Sequence, residues 1–284
     1  MIVEELCFGG AASRGIAYIG VLDYLQDFIK LKKFVGVSIG SLIGICYIIG
    51  YKPKELLHEI LNQNTSYLQD ICINKIYCNK SICEGNNYKK WVWDLLEKKI
   101  NPNITFAQLH DKFNIDIFIA TVCIENSDVF YLSNTNTPDV KLYDSLIASM
   151  SIPFVFPPIN ININEQNKTF IDAFVLNNFP IEQLNDCITS WGFHTTSLHD
   201  NDNSDSLVDY CFKIFQIATL QKNKKLKSFR NIVEINTSDF DIISFNLSLD
   251  DKITLYKRGF KTIKTRFDNK LFFNNRKLHR RISY

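Results

Sequence analysis

The chain predicts an α/β fold of three α/β/α layers around a central, largely parallel sheet, and three observations carry that prediction. Apolar strand-like runs alternate with amphipathic ones, as they do when crossover helices join parallel strands. Two of the strand-like runs, 2–8 and 33–36, pass through glycine-containing turns straight into small-residue helices. With 284 residues, 46% of them hydrophobic, and no dividing linker, the chain can bury one substantial core, so a single domain over 1–284 is expected.

In chain order, strands are expected at 4–8, 33–36, 116–123, 129–132, 169–171, 188–193 and 231–235, where short runs of apolar and β-branched residues occur. Helices are expected at 15–28, 38–50, 54–63, 88–99, 105–113, 142–149, 181–184, 206–225 and 249–267. The first of them shows the logic: Ile16, Ile19 and Leu22 recur near helical spacing directly after a glycine turn. Pro53, Asn101-Pro102 and Pro157-Pro158 punctuate the pattern. The stretch 63–87, rich in Asn, Cys and Tyr, shows no clear period; it is read as a surface insertion first, with a cap over the site as the alternative.

The sharpest local signal is Phe34-Val35-Gly36-Val37-Ser38-Ile39-Gly40-Ser41, a buried strand running through G-x-S-x-G into a helix. Such a turn thrusts its central hydroxyl outward, which makes Ser38 the candidate nucleophile. Gly36 and Gly40 flank it because a strand reversing into a helix brings its own backbone too close for side chains. The segment from Phe8-Gly9-Gly10-Ala11-Ala12-Ser13-Arg14-Gly15 to Leu22 is a second strand, small-residue loop and helix start. Its backbone amides can face an anion. Neither G-x-x-x-x-G-K-[ST] nor G-x-G-x-x-G occurs there, so an oxyanion hole fits better than a phosphate cradle. Gly10, Ala11 and Ala12 are its expected donors, with Arg14 as a nearby positive charge.

Together with Ala148-Ser149-Met150-Ser151-Ile152-Pro153-Phe154-Val155-Phe156-Pro157-Pro158 and Asp172-Ala173-Phe174-Val175-Leu176-Asn177-Asn178-Phe179-Pro180, these blocks resemble the patatin-like phospholipase family, in the family's order, from about 6 to 180. The resemblance implies a Ser-Asp dyad in which Asp172 is the general base for Ser38, with no metal or cofactor. It also implies an acyl hydrolase of phospholipase A type, acting on glycerophospholipids or related acyl lipids. Departures fall on glycines: Ala11 and Ala12 in the anion loop, and Ala173 and Phe174 after the aspartate. A Cβ resists positive φ, so these changes could misaim an amide. The alternatives are an esterase or thioesterase using the same dyad, or an inactive lipid-binding regulatory protein.

Other chemistries fit less well. His194, His199 and His279 satisfy the order of a Ser-His-Asp hydrolase, but Ser38 comes after about one strand, too early for that fold. Cys187 with His194 and His199 matches no usual zinc spacing, and the acidic run 200–205 lacks the later residues of a calcium loop. Eight scattered cysteines with no C-x-x-C, and no signal peptide, point to reduced thiols in a cytoplasmic protein. The uncharged run 34–51 imitates a short membrane span, but its glycines bracket Ser38 as a strand-turn-helix requires.

Net charge is +2, yet from Lys252 onward the chain carries many cations against the single acid Asp268. Ile253, Tyr256, Phe260, Ile263, Phe267 and Leu271 share a helical face between them, which reads first as a core-docking stripe. The cationic outside is a candidate for peripheral contact with anionic lipid. No nucleic-acid motif accompanies the charge.

Overall fold

The computed structural model describes residues 2–196, 214–215, 229–240 and 247–282, with side chains excepted at 65, 75 and from 269 onward. Its strands are β1 (Val3–Phe8), β2 (Ile29–Val37), β3 (Asp116–Cys123), β4 (Asp128–Ser133), β5 (Ile159–Ile163), β6 (Gln166–Asp172), β7 (Ser190–Thr195) and β8 (Ile232–Ile235). Its helices are α1 (Ile16–Leu25), α2 (Ile39–Ile48), α3 (Pro53–Asn62), α4 (Ile76–Asn79), α5 (Asn86–Glu97), α6 (Phe106–Phe113), α7 (Leu142–Ser149) and α8 (Leu249–Ile282). The α/β class expected from the alternation is the class observed.

Strands β3, β2, β1, β7 and β8 lie side by side and all parallel, since each return between them is made by a crossover and none by a hairpin. The pairings β3–β4, β3–β6 and β5–β6 are antiparallel, so the sheet is mixed. Hairpin β5–β6 turns at Asn164 and Glu165, whose φ values of 51° and 65° are those of the primed turn that matches strand twist. Strand β5 falls outside the strands expected from sequence. Its Ile-Asn-Ile-Asn-Ile alternation is a half-buried strand pattern, with Ile161 and Ile163 inward and the asparagines exposed.

Most of the core lies on the sheet face carrying Leu6, Phe8, Phe34, Ile117 and Phe193, under α1, α2, α5, α7 and α8. On the opposite face Cys7 and Val35 pack with Phe179, Ile181 and Leu184. The expected helix 181–184 is a 3-10 turn over Ile181–Gln183. The expected helix 206–225 lies outside the described residues, apart from 214–215.

Helix α8 is longer than expected and presents a different face. Buried positions are Lys252, Leu255, Gly259, Ile263 and Phe267, while Ile253, Tyr256 and Phe260 are only half-buried. The cause is a backbone crossing with α1. A Cβ on Gly259 would lie 1.8 Å from Ala17 O, and one on Gly20 would lie 2.0 Å from Tyr256 O. The crossing rolls the helix so that Leu255 and Gly259 face inward with Ile263 and Phe267, while Ile253, Tyr256 and Phe260 of the expected stripe lie at the edge of the buried side. Tyr256 Oη then donates to Asp23 Oδ2 at 2.6 Å, and Tyr24 Oη to Asp268 Oδ1 at 2.9 Å. Lys252, read from sequence as part of the cationic surface, is buried, and its Nζ donates to Ile60 O and Gln63 O at 3.1 and 2.8 Å. It thereby satisfies carbonyls at the C-terminal end of α3. We expect Gly259→Leu to destabilise the fold by about 3 kcal/mol or more through overpacking, and Lys257→Leu on the exposed side by less than about 0.5. Urea midpoints read the difference; equal midpoints would mean that the helices do not cross at Gly259.

Candidate active site

Val37 ends β2 and Ile39 opens α2, leaving Ser38 alone in the turn with φ 54° and ψ −130°. A non-glycine residue at positive φ is uncommon and strained, and such residues concentrate where strain positions a functional group. The flanking glycines are required by contact. A Cβ on Gly36 would stand 2.6 Å from Ser41 Cα, and one on Gly40 would stand 2.5 Å from Gly9 O. A further clamp comes from Ser149 at the end of α7: its Oγ accepts from the Ser38 N–H at 2.8 Å and donates to Ala120 O at 2.7 Å. The turn is thus bolted to β3 by one buried hydroxyl.

Sheet topology brings Asp172 to the same place. Strand β3 holds β4 along one edge, pairing Ala120 with Tyr131 and Thr121 with Phe130. On its other edge β2 is paired as far as Val37 with Ala120, and β6 takes over with Asp172 opposite Thr121. Val37 and Asp172 therefore face consecutive residues of β3, and Ser38 follows Val37 directly. Asp172 is 1% exposed; its Oδ1 accepts from the Phe174 N–H at 3.0 Å, and its Oδ2 accepts no hydrogen bond. Burial raises its carboxyl to about 7, although the Ser38 hydroxyl and the Phe174 amide favour the ionised form. The Ser38 hydroxyl acts on this carboxyl without a hydrogen bond of normal geometry to Oδ2.

The glycine-rich loop differs in detail from the expectation. The Gly10 N–H donates to Asn178 O at 3.0 Å, and Asn178 Nδ2 donates back to Gly10 O at 2.9 Å. Gly10 is therefore held by Asn178 and is not a free donor. The amides of Ala11 and Ala12 have no acceptor among the described residues, and that of Ile39, first in α2, has none within its helix. Ala12 adopts φ 47°, the left-handed conformation that its Cβ was expected to resist, at a cost of about 1 kcal/mol. Ala173 and Phe174 do not have positive φ, so no glycine is needed after the aspartate.

Arg14 does not line the site. It is buried, its Nη1 donates to Thr196 O at 2.7 Å just past β7, and burial lowers its guanidinium to about 10. It anchors the loop from behind instead of presenting charge to a substrate.

Ser38 opens onto a cavity of about 110 Å³ that is apolar almost throughout. Ala12 and Ser13 stand beside Ser38, while Ile43, Ile60, Trp91 and Met150 form part of the wall. Ser13 Oγ is buried there without a hydrogen-bond partner among the described residues. Sequence reasoning gave no role to Ser13, Ser149 or Asn178. All three lie inside the blocks quoted above, but no spacing rule says which of their atoms meet the turn or the cavity.

No histidine lines the cavity among the described residues; the His194 ring packs on Phe179, and the side chains of His199 and His279 lie outside those residues. Cys187 Sγ is engaged with Ser190 and Thr189, and His199, its imagined co-ligand, is not described. The run 34–51 folds as the end of β2, the turn and α2. Among the described residues no helix is long and apolar enough to cross a membrane.

A sequence profile for patatin-like phospholipases matches residues 6–185. Over 190 aligned positions the chain is 34% identical to "Probable lipid hydrolase 463L" of Invertebrate iridescent virus 6, a match covering 63% of this chain and 62% of that protein, less than two thirds of its length. Protein L620 of Acanthamoeba polyphaga mimivirus is 24% identical over 318 positions, covering 86% and 84%. Among solved structures, VipD from Legionella pneumophila shares the fold, with a TM-score of 0.60 at 14% identity over 95% of this chain and 67% of VipD.

Proposed function

This chain belongs to the patatin-like phospholipase family, and from that premise we propose that it is a lipid acyl hydrolase cleaving glycerophospholipid esters through a Ser38–Asp172 dyad. The observation that carries the reading is a strained serine at the head of an apolar cavity, with a buried carboxyl of pKa about 7 behind it.

The chemistry follows from those positions. Ionised Asp172 takes the proton from Ser38 Oγ as the oxygen attacks the acyl carbonyl carbon. Negative charge moves to the carbonyl oxygen, and the amides of Ala11, Ala12 and Ile39 are the donors free to receive it. Collapse expels the lipid alcohol, which takes the proton from Asp172 and leaves an acyl-serine. Asp172 then deprotonates a water that attacks the acyl carbon, and the fatty acid departs as Ser38 recovers its proton.

The apolar wall favours a long acyl chain over the small acyl group of a soluble ester. Ala12 at positive φ weakens the inactive reading, because the loop already holds the conformation that its alanines put in question. Reading 1–284 as one domain is supported by the close crossing of α8 on α1. A peripheral role at lipid surfaces, in the cytoplasm, is the setting this reading implies.

The test is fatty-acid release from phosphatidylcholine vesicles, compared with hydrolysis of a short-chain acyl ester. We expect kcat/KM to rise by at least about tenfold on lengthening the acyl chain from four to twelve carbons, since each buried CH₂ contributes about 0.8 kcal/mol. Turnover confined to short soluble esters would favour the esterase alternative. No turnover of any ester, with intact fold, would favour the inactive one.

A further inference from the structure

We propose that the lobe built from residues 64–84 and Phe154 is the surface through which this protein meets a lipid bilayer, an inference that rests on the acyl-lipid substrate proposed above. The segment expected as a surface insertion or a cap is built with several of its apolar side chains outward. Ile71, Ile73 and Tyr77 are 58, 71 and 95% exposed, and Tyr67 and Phe154 are more than half exposed.

Hydrogen bonds make this one continuous lobe. Cys72 N–H donates to Ile82 O and Glu84 N–H to Asp70 O, joining the two ends of the segment. Ile82 N–H then donates to Phe154 O at 2.8 Å and Cys83 N–H to Val155 O at 3.0 Å. Phe154 has φ 67°, a genuine outlier for a bulky residue, and its ring stands at the surface beside Phe215. A structure that holds an aromatic ring outward in a strained backbone is spending stability on exposure, which points to a use for the ring.

The inner side of the same lobe is the wall of the cavity. Leu68 lines it next to exposed Tyr67, and Ile152 and Phe156 line it on either side of Phe154. An acyl chain leaving a bilayer held against this lobe would pass from one apolar surface to the next without crossing water. That continuity selects a bilayer as the occupant. Charge does not oppose this: over 64–84 the sequence has Lys75 and Lys80 against Asp70 and Glu84. Both Asp70 oxygens are taken up by the backbone amides of Gly85, Asn86 and Asn87 at the start of α5. Tyrosine, isoleucine and lysine together suit the headgroup boundary of an anionic membrane. The alternative surface is the outer face of α8, where Lys257, Lys261 and Lys264 are exposed.

The test is co-sedimentation with vesicles of phosphatidylcholine containing phosphatidylserine, using full-length protein carrying Ser38→Ala so that no lipid is consumed. Adding Ile73→Gln and Tyr77→Gln should weaken vesicle binding about tenfold or more, since two inserted side chains are lost. Replacing Lys257, Lys261 and Lys264 by Gln should weaken it less. With Ser38 intact, the Ile73→Gln/Tyr77→Gln protein should hydrolyse a soluble short-chain ester within about twofold of wild type. Unchanged binding by the double variant, greater loss in the lysine variant, or no vesicle binding by the parent would each overturn the proposal. So would a dimer of the parent that the double variant dissociates, which would make the lobe an interface between copies. Because binding is read on a protein that cannot turn over, failure of the hydrolase reading shows separately, in the ester assay alone.

Discussion

Ser38→Ala is expected to lower ester turnover about 10⁴–10⁶-fold, the scale seen when a nucleophile is removed from a constellation that acts as a unit. The fold should persist. The substitution removes one hydroxyl, and the backbone bond from the residue 38 N–H to Ser149 Oγ stays in place. Alanine inherits the φ of 54° that Ser38 already tolerates. A serine-directed fluorophosphonate should label the wild type on the peptide containing Ser38 and leave the variant unlabelled. Retained turnover in a preparation of normal thermal stability would remove Ser38 from the mechanism, and with it the assignment of Asp172.

Asp172→Asn should reduce turnover by about 10²–10⁴-fold, the usual contribution of a general base. Its more telling signature lies in pH. The base must be ionised, so wild-type kcat/KM should rise with pH and level off above about 7. Stability should move the other way. The folded carboxyl has its pKa raised from 3.8 to about 7, so the unfolded state gives up its proton first as pH rises. The stability associated with the neutral carboxyl is fully present below about pH 4 and is lost progressively as pH approaches and passes 7. A shift of this size is on the order of 4 kcal/mol. Asparagine has no charge to desolvate, so the variant should gain stability over wild type at pH 8 and much less at pH 5. Urea unfolding at both values reads the change. An equal difference at the two pH values would mean that Asp172 is not the buried, neutral-leaning acid described.

Sequence and structure agree most closely where a rule is local. Helix α7 falls on the residues that its apolar spacing marks, and β3 on those its β-branched run marks. The alternation in β5 was equally local but sat among asparagines that read as loop composition. Helix α8 shows the limit of pattern alone: its aromatic stripe indicates a helix with a buried side, but not which side. Packing chose the side containing Gly259, because only there can the backbones of α1 and α8 meet. Buried Lys252 follows from the same rotation, which places its ammonium under the end of α3.

The sequence alone determined the turn at Ser38, because its constraints come from atoms a few residues away or on the adjoining strand. Gly36 and Gly40 leave no other room. It also placed Asp172 by resemblance, but gave no physical reason for the two residues to meet. Tertiary structure supplied that reason on the edge of β3, where β2 ends at Val37 and β6 begins at Asp172. Tertiary structure also reassigned Gly10 to Asn178 and Arg14 to Thr196, contacts between segments far apart in the chain that no local pattern records. The raised pKa of Asp172 belongs to the same class, since burial is a property of everything that packs around a carboxyl and not of the residues beside it in sequence.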